Sequence, residues 1–152
     1  MSTAELDEFR TQFLARQTEA EEAIIHGELE PRLELWSRRD PVSLFGAWGP
    51  CKTGWDEVSR IFRWVASRFS DPADLRSDFH YDVEVADVSG DMAYTVGFER
   101  FNASRDGGAT EQVTVRVTHV YRRENGEWKI VHSHGDLAPE DQSPPSEAST
   151  EK

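Results

Sequence analysis

Thiols are almost absent: Cys51 is the sole cysteine among 152 residues. One thiol forms no internal disulfide, which fits a reducing, cytoplasmic setting. It is also too few for a thiolate zinc site. Long apolar runs are missing, and none approaches the ~20 residues that a membrane-spanning helix requires. Positive charge is scarce, with 17 basic residues against 29 acidic and a formal net charge of −12. A surface that negative repels phosphate backbones, which excludes nucleic acid as the main partner. It equally excludes docking on a membrane through a polybasic patch. The glycines form neither a dinucleotide fingerprint nor a phosphate loop. The opening MSTAELDEF is acidic and amphipathic, unlike a secretory signal.

What is present suits one domain. Hydrophobic residues make up 37% of the chain, enough for a single core. Residues 1–138 are read as that domain. Pro139 to Lys152, rich in proline, serine and acid, carry no periodic apolar pattern and are read as a disordered tail. Without the tail's four acids and one lysine, 25 acids still face 16 bases, so the acidity belongs to the domain.

Helical periodicity comes first. Ser2 and Glu5 have the spacing of a capping box, and Leu6, Phe9, Phe13, Leu14 and Ile24 follow on one stripe. Gly27 is the expected stop. Leu29, Leu33 and Trp36 mark a shorter helix, with Pro31 in its first turn. Val42 to Phe45 reads as a short strand, followed by a Gly/Pro loop around Trp48. Thr53 and Asp56 repeat the capping spacing before a third apolar face of Trp55, Val58, Ile61, Phe62, Val65 and Phe69.

From Leu75 the period becomes two. Turns at Ser89-Gly90, near Asp106-Gly107-Gly108, and at Asn125-Gly126 divide four antiparallel strands. The fold class is therefore α+β, with N-terminal helices packed in the concave face of an antiparallel sheet. With Asn125 and Gly126 as turn residues, Tyr121 faces Ile130, His119 faces His132 and Val117 faces His134. Paired residues share a face. Three histidines are thus expected to cluster on the inner wall beside Tyr121 and Trp128. A two-residue middle turn adds Tyr94, Val96 and Phe98 to that wall and leaves Glu99 and Arg116 on the polar outer face; a bulge would reverse this.

The run from Arg116 to Asp136 (RVTHVYRRENGEWKIVHSHGD) resembles the C-terminal hairpin of SnoaL-like domains, members of the nuclear transport factor 2-like superfamily. The helix start at Gly54-Trp55 and the Ser89-Gly90-Asp91 turn fit too, and the resemblance spans roughly residues 4 to 137. The association domain of calcium/calmodulin-dependent kinases looks similar, with an arginine inside its pocket at the position matching His119. The resemblance implies a curved sheet around helices and a cone-shaped pocket. Relatives include ketosteroid isomerase, scytalone dehydratase, polyketide cyclases and binding or assembly modules. The place of the ketosteroid isomerase aspartate falls near Phe45 or Gly46, neither of which takes a proton. Asp136 matches the place where the cyclases carry an acid.

The expected function is recognition of a small, partly apolar molecule in the cone. Any chemistry would be cofactor-free proton transfer: isomerisation, dehydration or cyclisation. The alternative is a module without turnover. His119 or His132 is the candidate base, and Tyr94 or Tyr121 the hydrogen-bond donor. The three histidines also admit readings as plain pocket lining or as ligands for a divalent ion; no metal or cofactor is assigned. His134, Tyr121, Trp48, Trp36 and Asp136 are expected to touch the ligand. A homodimer through the outer sheet face is the expected protein partner. Cys51 is read as inert.

Overall fold

In a computed structural model that describes residues 3–70 and 74–139, the N-terminal apolar stripe forms one helical rod in three parts. Helix α1 (Thr3–Glu8) runs into a wider π turn (Phe9–Phe13) and then α2 (Leu14–Ile25). The π turn brings the buried rings of Phe9 and Phe13 side by side, 5.8 Å apart and nearly parallel. Both set their rings edge-on to Tyr121. The rod ends as expected at Gly27, whose φ of +84° places it in the left-handed region that glycine enters freely. The Glu28 N–H then reaches back to the Ala23 carbonyl at 2.9 Å. The expected cap at Ser2 and the tail beyond Pro139 lie outside the described residues.

Helix α3 (Glu30–Leu35) carries Pro31 in its first turn, where a missing N–H costs nothing. Strands β1 (Ser43–Phe45) and β2 (Cys51–Thr53) follow, then α4 (Trp55–Arg68). The cap of α4 differs from the expected Thr53–Asp56 pair. Gly54 stands before the helix with a φ of +87°, and the first N–H, that of Trp55, donates to Asp40 Oδ1 at 2.9 Å. A carboxylate 15 residues away thus does the work anticipated for a neighbouring hydroxyl. The inward face of α4 is as expected except that the helix stops at Arg68 and Phe69 opens the next strand: Val58 and Phe62 are fully buried, each worth roughly 1.5–3 kcal/mol of burial.

Among the described residues, the curved mixed sheet has seven strands. After the two-residue β3 (Phe69–Ser70) come β4 (His80–Ser89), β5 (Met92–Arg105), β6 (Thr110–Glu124) and β7 (Glu127–Leu137). The order is β2-β1-β7-β6-β5-β3, with β4 also on β5. The four-strand meander is present. The short β1 extends it by pairing parallel to β7, with Leu44 beside Ser133. The helices cover the inner face, whose β6 contribution is the anticipated Val113, Val115, Val117, His119 and Tyr121. Among the described residues, no helix is long and apolar enough to cross a membrane.

Three register details depart from expectation. Asn125 and Gly126 do form the turn, both at positive φ, with Glu124 opposite Glu127. Tyr121 does face Ile130. One step on, a bulge intervenes: Val120 faces His132, His119 faces Ser133, and Thr118 faces His134. Val131 is the extra residue, and it is buried together with Ile130. Alternation restarts beyond it, so His132 and His134 point outward. Second, the β5–β6 connection closes on Ser104 and Thr110, an odd-length loop. Tyr94 and Val96 therefore face outward, and Thr95, Gly97 and Glu99 face inward. Third, the β4–β5 turn residues are Gly90 and Asp91, with Ser89 opposite Met92 and a bulge between Val83 and Val85.

Candidate functional site

An apolar cleft opens between α2, α4, the β1–β2 loop and the inner sheet face. The space between these walls, counted together with the open solvent at the mouth, comes to about 700 Å³. Its walls are mostly apolar, with the rings of Trp48, Trp64, Phe69, Phe79 and Phe101 among them. Trp64 comes from α4 and Phe101 from an inward position of β5, while Phe69 opens β3 and Phe79 immediately precedes β4. Trp48 comes from the Gly/Pro loop between β1 and β2. Its indole packs edge-on against Phe69, with ring centres 5.7 Å apart, and its buried N–H has no protein partner.

Charge is concentrated at the floor. Glu21 on α2 pairs with Arg32 on α3, and the Arg32 guanidinium also lies over the Phe62 ring at 5.2 Å. Glu99 on β5 lines the same floor and is 8% exposed. Behind it stands His119 on β6, 3% exposed, with Nε2 3.7 Å from Glu99 Oε2. That separation is too long for a hydrogen bond. Glu99 Oε2, both His119 nitrogens and Arg32 Nε lack protein hydrogen-bond partners. Burial pushes the Glu21 carboxyl up to about 8; Arg32 opposes this and Glu99 adds to it. Burial outweighs the salt bridge because removing a carboxylate from water costs more than one partner returns.

Next to this floor runs a satisfied hydroxyl chain. Tyr81 and Thr95 are 2.5 Å apart, Thr95 and Tyr121 3.0 Å, and the Tyr121 hydroxyl donates to Gln17 Oε1 at 2.8 Å. Burial pushes both tyrosines well above the usual phenol range, so they remain neutral donors.

Of the residues expected at the site, the structure brings together only some. His119 lies inside, behind Glu99. Tyr121 is inside, but its hydroxyl is committed to Thr95 and Gln17. Trp48 lines the mouth. Trp36 is core, 2% exposed and edge-on to Phe62. Tyr94 lies on the outer face, 42% exposed, because of the odd-length β5–β6 loop. His132 and His134 are outside because of the Val131 bulge, so the three-histidine cluster does not form. The His132 Nδ1 shares a 2.7 Å hydrogen bond with Ser43 Oγ. Burial lowers its pKa, and His134 beside it acts the same way. Asp136 is on the outer face, bidentate with Arg116 at 2.8 and 2.5 Å, which holds its carboxyl below the usual range. Among the described residues, no three His, Cys, Asp or Glu side chains converge as a metal site would.

The polar floor residues Glu21, Arg32 and Glu99 were not anticipated. A signal for Glu21 existed: the stripe Phe9, Phe13, Leu14, Ile24 continues through positions 17 and 21, where polar side chains take inward places.

A family model described as "SnoaL-like domain" matches residues 14–138. Several solved structures share the fold. A nuclear transport factor 2-like superfamily protein from Salmonella enterica is 20% identical, with a TM-score of 0.70 over 93% of this chain and 98% of that one. A structure titled a putative dehydratase of the same family from Streptomyces avermitilis is 23% identical, with a TM-score of 0.70 over 87% and 97%. A putative calcium/calmodulin-dependent protein kinase II association domain from Xanthomonas campestris is 16% identical, with a TM-score of 0.61 over 93% and 91%. No curated protein matches the chain.

Proposed function

Because the chain belongs to the SnoaL-like domain family, within the nuclear transport factor 2-like superfamily, we propose that it binds a small, partly apolar molecule in the aromatic cleft and moves a proton on it without a cofactor. Glu99 is the group that reaches the ligand, and His119 behind it is the second proton station. The observation that carries this reading is the pairing itself. A carboxylate oxygen and an imidazole, both buried and lacking protein partners, stand 3.7 Å apart at the end of an apolar cleft. Unsatisfied buried groups cost roughly 1–3 kcal/mol each. A ligand's polar end satisfies Glu99 directly. Tyr81 and Tyr121 keep the surroundings hydrogen-bonded but un-ionised.

The test is a thermal-shift screen of small aromatic and alicyclic ketones, alcohols and amines. Hits are then assayed for turnover with wild type, Glu99→Gln and His119→Gln. Turnover reduced at least ~100-fold in Glu99→Gln supports the reading. Hits that bind but are never converted make the protein a binding module.

The outer sheet face supports self-association. Val85, Met92, Tyr94 and Val96 are each exposed by 38–45% there, with Phe45 and Leu137 further along. We infer a homodimer through this face. Sedimentation equilibrium finding only the 17.3 kDa monomer at high concentration would overturn it. The exposed lone thiol of Cys51 fits a cytoplasmic setting.

A further inference from the structure

The ionisable lining of the cleft is unbalanced. Two carboxyls, Glu21 and Glu99, share it with one guanidinium, Arg32. His119 stands directly behind the floor, and the neighbouring phenols of Tyr81 and Tyr121 stay neutral. With a neutral imidazole, the set is one positive charge short. A buried excess charge is expensive. The free protein relieves it by holding a proton, and the raised Glu21 carboxyl is one place where that proton sits. Arg32 is already engaged by Glu21 and by the Phe62 ring. Glu99 Oε2 is the acceptor left open.

Two of the wall indoles already carry a cation of the protein's own, so what the walls leave for the ligand is hydrocarbon contact. Arg105 lies over Trp48 at 5.4 Å, and Arg68 over Trp64 at 4.9 Å. These indoles therefore already hold guanidinium groups within cation–π distance.

We propose that the cleft takes a small hydrophobic amine, bound as its ammonium ion, with the nitrogen on Glu99 and the hydrocarbon against the aromatic walls. This rests on the reading of the cleft as the binding site and names its ligand class. An ammonium ion supplies the missing positive charge, so the proton held by Glu21 is released on binding. A neutral alcohol of the same shape leaves the imbalance as it was. A carboxylate worsens it.

The test is isothermal titration calorimetry at pH 7 in two buffers of different ionisation enthalpy. The probes are 1-naphthylmethylamine, 1-naphthylmethanol and 1-naphthoate. The amine should bind at least about tenfold tighter than the alcohol, and the naphthoate should bind weakest. Amine binding should release up to one proton; alcohol binding should release none. Glu99→Gln should cut the amine-over-alcohol preference to less than about threefold, while Glu21→Gln should reduce the proton release. Alcohol or naphthoate binding as tightly as the amine, or amine binding without proton release, overturns the amine inference and leaves the cleft a small-molecule site. If none of the three binds, the amine inference falls, and the cleft itself is judged by the broader screen above.

Discussion

Glu99 and His119 come from adjacent strands but not from paired positions. His119 is opposite Thr95, and Glu99 opposite Val115. The inward position between Thr95 and Glu99 is Gly97, which has no side chain to separate them. The two buried groups depend on each other. His119→Leu alone should destabilise the protein by about 1–3 kcal/mol, because Glu99 loses its polar neighbour. Adding Glu99→Met should restore much of the loss, since replacing both members of a buried polar pair is often neutral or better. Urea unfolding of both singles and the double variant checks this. Additive losses would show that the pair is uncoupled.

Gly97 makes its own prediction. A Cβ there would stand 2.2 Å from the Asp82 carbonyl oxygen, where β4 bulges toward the sheet interior. Backbone does not yield as a flexible side chain would. Gly97→Ala should cost at least ~2 kcal/mol. An unfolding midpoint equal to wild type would contradict the close approach.

Stability should fall as pH rises through neutrality. The folded Glu21 carboxyl holds its proton up to about 8, against an unperturbed value of 4.5. Between those values the folded state binds more protons than the unfolded chain. The contribution is complete below about 4.5 and lost as pH climbs through about 8. Glu21→Gln keeps an oxygen for Arg32 and removes the titration. The variant's stability should therefore gain on wild type across that window, by an amount on the order of a few kcal/mol. His132 works oppositely: its lowered pKa withdraws stability as pH falls below 6.5. Chemical denaturation of both proteins from pH 5 to 8.5 isolates the Glu21 part as their difference.

Asp40→Ala should loosen α4. It removes the acceptor for the Trp55 N–H, at a cost of about 1 kcal/mol. Hydrogen exchange at Trp55 and the following amides should speed up, while the amides of β5 and β6 stay protected.

The two faces of the sheet offer a contrast in ligand binding. His134→Ala on the outer face should leave the affinity of any cleft ligand within about twofold, whereas Glu99→Gln should weaken a ligand whose polar end rests there by about tenfold or more.

The helices, the strands and the Asn125-Gly126 turn were legible because periodicity and turn chemistry are local. Phe62 and Val117 lie where their spacing says. The site was less legible because it depends on parity. Whether Glu99 or Tyr94 faces inward hangs on whether the β5–β6 loop holds an odd or even number of residues, and Asp106-Gly107-Gly108 supports either. The inward place of His132 was lost to one buried valine. Both Ile130 and Val131 are apolar, so nothing in their residue types marks the extra one. The role of Asp40 as the α4 cap comes from tertiary proximity, which spacing along the chain does not reveal.

The Val131 bulge selects between two chemical inventories for one wall. As folded, β7 offers the cleft side Ser133 and Gly135 and keeps two imidazoles and a carboxylate outside. Deleting a single residue between Lys129 and His132 would turn the rest of the strand over, presenting His132, His134 and Asp136 to the interior. Gly135 fits the present phase, since a methyl group there would come within 2.9 Å of Val115 Cγ1. Relatives that lost or gained that one residue would share nearly every letter of this strand and carry a different cleft wall.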